Sequence, residues 1–212
     1  MNRRVFLKTV GLGAAGLIAG CGGSRRGQTT SSPKHTLADL QAAFNGESNA
    51  RAKYLGFAAA AKKDGYPGIA TLFTATADAE KIHLTSHAEV LKAHGQVAKA
   101  NIKPHAPEDI KANLLAAIKG ETYEFTTMYP EFIQRVEAAA FADAKKSFAE
   151  AKEAEKIHAK MYQKYLNDLP NQKGKTATIH LCPFCGYLTD DPKSIANCPI
   201  CNAAVADFKA YA

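Results

Sequence analysis

The sequence predicts an all-α protein, an antiparallel four-helix bundle, followed by a small C-terminal module organised by four cysteines. Three observations carry this. The pentapeptide AEKIH occurs twice, at Ala79–His83 and Ala154–His158, and each copy follows a Gly-Glu-hydroxyl triplet, Gly46-Glu47-Ser48 and Gly120-Glu121-Thr122. Apolar residues recur at helical spacing over four long stretches with mostly short breaks between them. Two CxxC pairs, Cys182/Cys185 and Cys198/Cys201, lie near the end of the chain.

The N-terminus reads as an address. Residues 1–20 have a basic start, an apolar stretch from Val10 to Ala19 and then small residues, a signal-peptide layout too short to span a bilayer as a mature helix. NRRVFLK resembles the twin-arginine export motif, which serves folded proteins. LIAGC resembles a bacterial lipobox, in which the cysteine, here Cys21, becomes the lipidated first residue because its thiol carries the diacylglyceryl group. The expectation is an exported protein on the periplasmic or cell-envelope side, held to a membrane through Cys21 by more than one acyl chain. The alternative is a plain cleaved signal with an incidental Cys21. Residues 21–35, mostly Gly, Ser, Thr, Gln and Arg, read as a flexible tether.

That segment also explains the charge. The chain of 212 residues has a formal net charge of +7, but residues 1–34 hold six basic residues and no acid. The remainder carries 21 basic against 20 acidic residues, so nothing favours a nucleic-acid partner.

The bundle is expected over 36–168. Thr36 with Asp39 reads as an N-cap with an acid in the first turn of a helix that runs to about Asp64, where DGYPG breaks the chain. A second helix is expected from about Ile69 to His94. NIKPHAPED reads as a loop, with Pro107 at the next helix start and Glu108 and Asp109 at its positive end. The third helix passes Glu124 and should kink at Pro130. The fourth covers about Asp143 to Asp168, although no Gly or Pro marks its start.

The repeat gives these helices a purpose. Glu47 precedes Glu80 by 33 residues and Glu121 precedes Glu155 by 34, so the chain looks like two copies of one helix pair. In AEKIH the Glu and His are three apart and share a helix face. Glu80/His83 and Glu155/His158 lie on apolar stripes, and Glu47 and Glu121 also point inward. Carboxylates aimed into a core are costly unless paired or bound to cations. Glu, ExxH, Glu, ExxH is the ligand set of a carboxylate-bridged two-metal site, with two bridging carboxylates and one His for each ion.

AFNGESNARAKY, ADAEKIH, GETYEFTTMYPEF and AEAKEAEKIH resemble the corresponding segments of rubrerythrins, ferritin-like di-iron proteins, from about residue 36 to the C-terminus. The resemblance implies that Glu47, Glu80, His83, Glu121, Glu155 and His158 bind two iron ions, with Glu124 as a seventh ligand; the alternative for Glu124 is an ordinary surface residue. It implies that Tyr54 and Tyr129 hydrogen-bond a ligand carboxylate or bound peroxide; from the residues alone both read as core aromatics. Thr127 and Ala140 depart from common members, which have an acid and a turn glycine there. His87 could approach the site but reads as packed or solvent-facing, and His35, His94, His105 and His180 receive no role.

After a polar linker at 169–178, residues 179–212 hold the cysteines. Two CxxC pairs separated by the twelve residues Gly186–Asn197 point to a tetrahedral four-thiolate site of Cys182, Cys185, Cys198 and Cys201, with two disulfides as the alternative. Gly186 and Asn202 follow the second cysteine of each pair, where a left-handed residue fits. Sulfur ligands alone leave iron and zinc open. The resemblance to rubredoxin in CGY, the spacing and Phe208 favours iron.

The expected activity is that of a non-haem iron oxidoreductase, a peroxidase that reduces hydrogen peroxide to water with electrons relayed through the four-thiolate iron from an unidentified donor. The resemblance further implies a homodimer in which the rubredoxin-like iron of one chain approaches the di-iron site of the other. The alternatives are an iron-handling ferroxidase acting on O2, or a zinc-containing metal-binding lipoprotein without activity.

Overall fold

The computed structural model describes residues 33–136 and 141–212; the predicted signal peptide, Cys21, most of the tether and Ala140 lie outside the described residues. Five helices make the bundle: α1 (Pro33–Lys63), α2 (Pro67–Ala93), α3 (Ile110–Tyr123), α4 (Tyr129–Arg135) and α5 (Ala142–Asn167). A π-helical turn, Glu124–Met128, joins α3 to α4, so these two act as one of the four bundle rods. Among the described residues no helix is long and apolar enough to cross a membrane.

Helix α1 already includes Pro33, so Thr36, expected from sequence as its cap, lies inside the helix and is buried. Asp39, expected to serve the helix end, instead takes a bidentate pair from Arg135 at 2.9 Å and ties α4 to α1. Pro67 starts α2, and proline suits a first turn, whose N–H would be unpaired in any case. For α3 the start is Ile110, not Pro107, because the Asp109 side chain accepts from Ala112 N at 2.8 Å and caps the helix.

The segment expected as a loop between α2 and α3 is fastened to α1 by a ladder of side-chain amides. Lys99 N donates to Gln41 Oε1 at 3.1 Å, Asn101 N to Asn45 Oδ1 at 2.7 Å and Lys103 N to Asn49 Oδ1 at 2.8 Å. Gln41 and Asn49 donate back to the carbonyls of Lys99 and Asn101 at 2.6 and 3.0 Å. The periods match: four helical residues rise about 6.0 Å, and two extended residues span about 6.6 Å.

The core has two halves, one around Tyr54, Phe57, Phe73 and Tyr162, the other around Leu40, Tyr129 and Phe148. The small module is a three-stranded antiparallel sheet of β1 (Ile179–Leu181), β2 (Leu188–Thr189) and β3 (Lys209–Tyr211) in the order β2-β1-β3. Ile179, Leu181 and Leu188 are buried in the first half of the bundle core, so the module shares that core. The linker turns back over the start of α2, where Gly68 N donates to Lys175 O at 2.8 Å.

Candidate metal centres

The four helical rods bring the six residues of the repeat into one buried cluster. Glu47 comes from α1, Glu80 and His83 from α2, Glu121 from α3, and Glu155 and His158 from α5; all are buried. Two overlapping donor sets form, each with its ligand atoms within 4.8 Å of one another: Glu47, Glu80, His83 and Glu155, and Glu80, Glu121, Glu155 and His158. Glu80 and Glu155 belong to both sets, so these two can bridge a pair of ions, with Glu47 and Glu121 at the ends. Glu124 belongs to neither set, but it is buried beside them, and its charge helps to raise Glu47.

The donor atoms are those of a site that needs cations. Glu47 Oε2, Glu80 Oε1, Glu121 Oε2, both Glu155 oxygens and His158 Nδ1 are buried without a hydrogen-bond partner. His83 Nδ1 lies 2.8 Å from Glu155 Oε1, and His158 Nδ1 lies 2.7 Å from Glu155 Oε2. These are close approaches of groups that would share an ion, without hydrogen-bond alignment. So many orphaned polar atoms in a dry core would be prohibitive without metal, and the residues present fit a bound pair of ions.

Protonation in the metal-free cluster follows the same logic. Burial pushes the Glu47 and Glu124 carboxyls well above the carboxylate range, and neighbouring carboxylates add to it. Burial pushes Glu121 up to about 8, with Glu80 adding and His158 opposing. For Glu155 burial is also an upward push, but the His83 and His158 imidazoles outweigh it and hold the carboxyl far down. Both imidazoles are raised well above their ordinary value, Glu155 prevailing over burial.

The two tyrosines cross between the repeats. Tyr54 on α1 donates to Glu121 Oε1, and Tyr129 at the start of α4 donates to Glu47 Oε1. Tyr54 follows Glu47 by seven residues, but Tyr129 follows Glu121 by eight. In a regular helix seven residues return to within about 20° of the starting face and eight overshoot by about 80°. The π turn at Glu124–Met128 absorbs the extra residue, and the Tyr129 N–H reaches back to the Glu124 carbonyl. The kink expected from Pro130 is therefore a widened turn just before it, which also relieves the proline of a hydrogen bond that it cannot make.

The cysteine knuckles complete the picture. Cys182, Cys185, Cys198 and Cys201 are free thiols whose Sγ atoms lie within 4.8 Å of one another. Across the knuckles, Cys182–Cys201 and Cys185–Cys198 are 3.6 and 3.4 Å apart, close to the about 3.8 Å edge of a tetrahedron with about 2.3 Å metal–sulfur bonds and far beyond a disulfide. Gly186 and Asn202 have the left-handed φ expected, 80° and 62°. Hydrogen bonding with Cys185 pulls the Cys182 thiol down to about 5, burial opposing.

A contact that sequence reasoning missed joins the two centres. His83 Nε2 lies 3.1 Å from the Cys185 carbonyl, and His158 Nε2 lies 2.9 Å from the Gly186 carbonyl. Each Nε2 donates its proton to the carbonyl, so Nδ1 is the nitrogen left to bind a metal once the ring gives up its second proton; in the metal-free cluster His83 Nδ1 lies 3.1 Å from Glu80 Oε2. Gly186 allows the approach, since a Cβ there would sit 2.3 Å from His83 Nε2. Within the chain the Cys185–Gly186 turn thus covers the cluster, the linker having folded back over the start of α2. His87, expected to pack or face solvent, is buried and hydrogen-bonded to Tyr129 and Ser147. Its spacing, four residues after His83, was the available signal, since it shares that helix face.

A family model described as Rubrerythrin matches residues 39–166. Among curated proteins, the chain is 38% identical over 177 residues to nigerythrin of Nitratidesulfovibrio vulgaris, covering 83% of this chain and 86% of that protein. It is 34% identical to rubrerythrin-2 of Clostridium acetobutylicum, covering 81% and 94%. Among solved structures, the fully reduced, all-ferrous state of nigerythrin superposes with a TM-score of 0.77 at 36% identity, covering 89% of this chain and 91% of that one.

Proposed function

The chain belongs to the rubrerythrin family, and on that premise we propose that it is a peroxidase-type oxidoreductase that reduces hydrogen peroxide to water at a di-iron site. Glu47, Glu80, His83, Glu121, Glu155 and His158 are the proposed ligands, with Glu124 held in reserve beside them. Cys182, Cys185, Cys198 and Cys201 are the proposed ligands of a third, mononuclear iron. When bound in the ferrous state, the iron pair supplies the two electrons that cleavage of the O–O bond consumes.

The remaining chemistry belongs to the chain. Glu80 and Glu155 hold the shared positions, and the carbonyls of Cys185 and Gly186 orient both imidazoles. Tyr54 and Tyr129 each hold a proton at the phenol oxygen against a terminal carboxylate. The packed aromatic core excludes bulk water, which strengthens each of these interactions.

The observation that carries the reading is the paired contact of His83 and His158 with the backbone that bears Cys185. It supports a relay in which electrons from an unidentified donor enter at the thiolates and cross a short, covalent and hydrogen-bonded path to the cluster. Reconstitution with ferrous iron tests it: about three irons per chain are expected, two plus one from the ligand sets. Glu155→Ala should retain about one iron and lose donor-driven peroxide consumption. Full iron binding and turnover by Glu155→Ala would sink the ligand set.

We also infer export and a membrane anchor at lipidated Cys21, which the LIAGC pattern behind the twin-arginine-like start supports. Mass spectrometry of membrane-extracted protein should find a diacylated N-terminal Cys21. An unmodified mature N-terminus would overturn the anchor.

A further inference from the structure

The geometry points to a built-in proton path from a surface groove to the metal site, running through Ser86, Ser147, His87 and Tyr129 to Glu47. The reading rests on the peroxidase proposal, because reduction of one peroxide to two waters consumes two protons beside the two electrons supplied by the reduced metal pair. A dry core must import those protons.

Every link lies within hydrogen-bond distance. Ser86 Oγ and Ser147 Oγ are 2.7 Å apart, Ser147 Oγ and His87 Nδ1 are 2.8 Å apart, and His87 Nε2 and the Tyr129 hydroxyl are 3.1 Å apart. Tyr129 then donates to Glu47 Oε1. The inner residues Ser147, His87, Tyr129 and Glu47 are buried, whereas Ser86 is half-exposed. Ser86 and Ser147 line a groove of about 290 Å³ between α2 and α5, whose rim carries Glu89, Asp143 and Glu150 together with Lys146.

The direction of the path is forced. A metal-bound Glu47 carboxylate can only accept, so Tyr129 donates to it. The Tyr129 oxygen then accepts from His87 Nε2–H, which leaves Nδ1 bare to accept from Ser147, whose oxygen accepts from Ser86. In the metal-free protein burial, aided by the His83 charge, lowers His87 to about 3; the burial remains when metal binds, so the ring stays neutral and can fill both roles. One inward transfer would move a proton along each link at once: Tyr129 gives its proton to Glu47 Oε1, from which the peroxide being reduced takes it, and receives the His87 Nε2 proton. His87 regains a proton at Nδ1 from Ser147, and Ser147 is resupplied through Ser86 from groove water. Rotation of the hydroxyls and return of the His87 tautomer reset the path.

Stopped-flow oxidation of the reduced, iron-loaded protein by hydrogen peroxide, in H2O and in D2O, tests this. Ser147→Ala should keep wild-type iron content and absorption but oxidise about 10-fold more slowly, with an altered solvent isotope effect; Ser147→Thr, which restores the hydroxyl, should recover the rate. A second readout needs no turnover. In protein loaded with diamagnetic zinc, 15N NMR should find His87 protonated at Nε2 and bare at Nδ1. A wild-type rate and isotope effect in Ser147→Ala, or His87 protonated at Nδ1, would overturn the path. Wild-type protein inert to peroxide would instead refute the peroxidase reading, and the His87 tautomer would still decide for or against the path.

Discussion

At the scale of single residues, Gly186 does two things that no other residue type can do together. It adopts φ 80°, and its missing Cβ leaves room for His83 Nε2. Gly186→Ala should cost about 1–3 kcal/mol from left-handed strain and overpacking. It should also push the knuckle off the imidazoles, so that thermal unfolding shifts down and iron leaves the bundle faster. A variant with wild-type melting and iron retention would mean that the knuckle does not press on the cluster. Glu121 gives a second prediction. Its folded value of about 8 lies above the ordinary carboxylate range. Its contribution to the metal-free fold is therefore complete below that range and is lost as pH rises through about 8. The raised Glu47, Glu124, His83 and His158 act with the same sign; Cys182, held down at about 5, and His87, lowered to about 3, act with the opposite sign but are outnumbered. Metal-free protein should melt at progressively lower temperature between about pH 5 and 9. Metal uptake, which expels those protons, should strengthen over the same interval. A metal-free melting temperature that rises with pH would contradict this.

At the scale of elements, the sequence made much of the site legible because ligand chemistry repeats at helical spacing. The cluster of Glu47, Glu80, His83, Glu121, Glu155 and His158 and the left-handed Gly186 and Asn202 could be read from spacing alone. The π turn could not: the one-residue surplus between Glu121 and Tyr129 was visible, but which turn would absorb it depends on packing against α1 and α5. The Asp109 cap was misjudged because Pro107 offered an equally good start. The knuckle–imidazole contacts were invisible because backbone carbonyls carry no side-chain signature. That contact refines what Cys198→Ser should do. Loss of a thiolate removes the metal or shifts its potential, and donor-driven turnover should fall. Oxidation of already reduced bundle iron in a single turnover should persist, provided the Cys185–Gly186 turn stays seated. Unchanged steady-state turnover would show that electrons bypass the thiolates.

At the scale of the whole molecule, two near-copies of a helix pair face each other across the carboxylate–histidine cluster, and the small module seals one end by lending Ile179, Leu181 and Leu188 to the common core. The joint between the copies, residues 94–109, has a consequence of its own. Surface connections ordinarily accept extra residues at little thermodynamic cost. Here, however, Gln41, Asn45 and Asn49 count the crossing chain in pairs, and every second N–H must meet an amide oxygen. One glycine inserted after Ala100 would put Asn101 and Lys103 out of phase with their partners, breaking about two or three hydrogen bonds of about 1 kcal/mol each. The same insertion after Val97, upstream of the first rung, should be nearly silent in a thermal melt. The crossover thus behaves like a ruler, and its length is under tighter constraint than its composition.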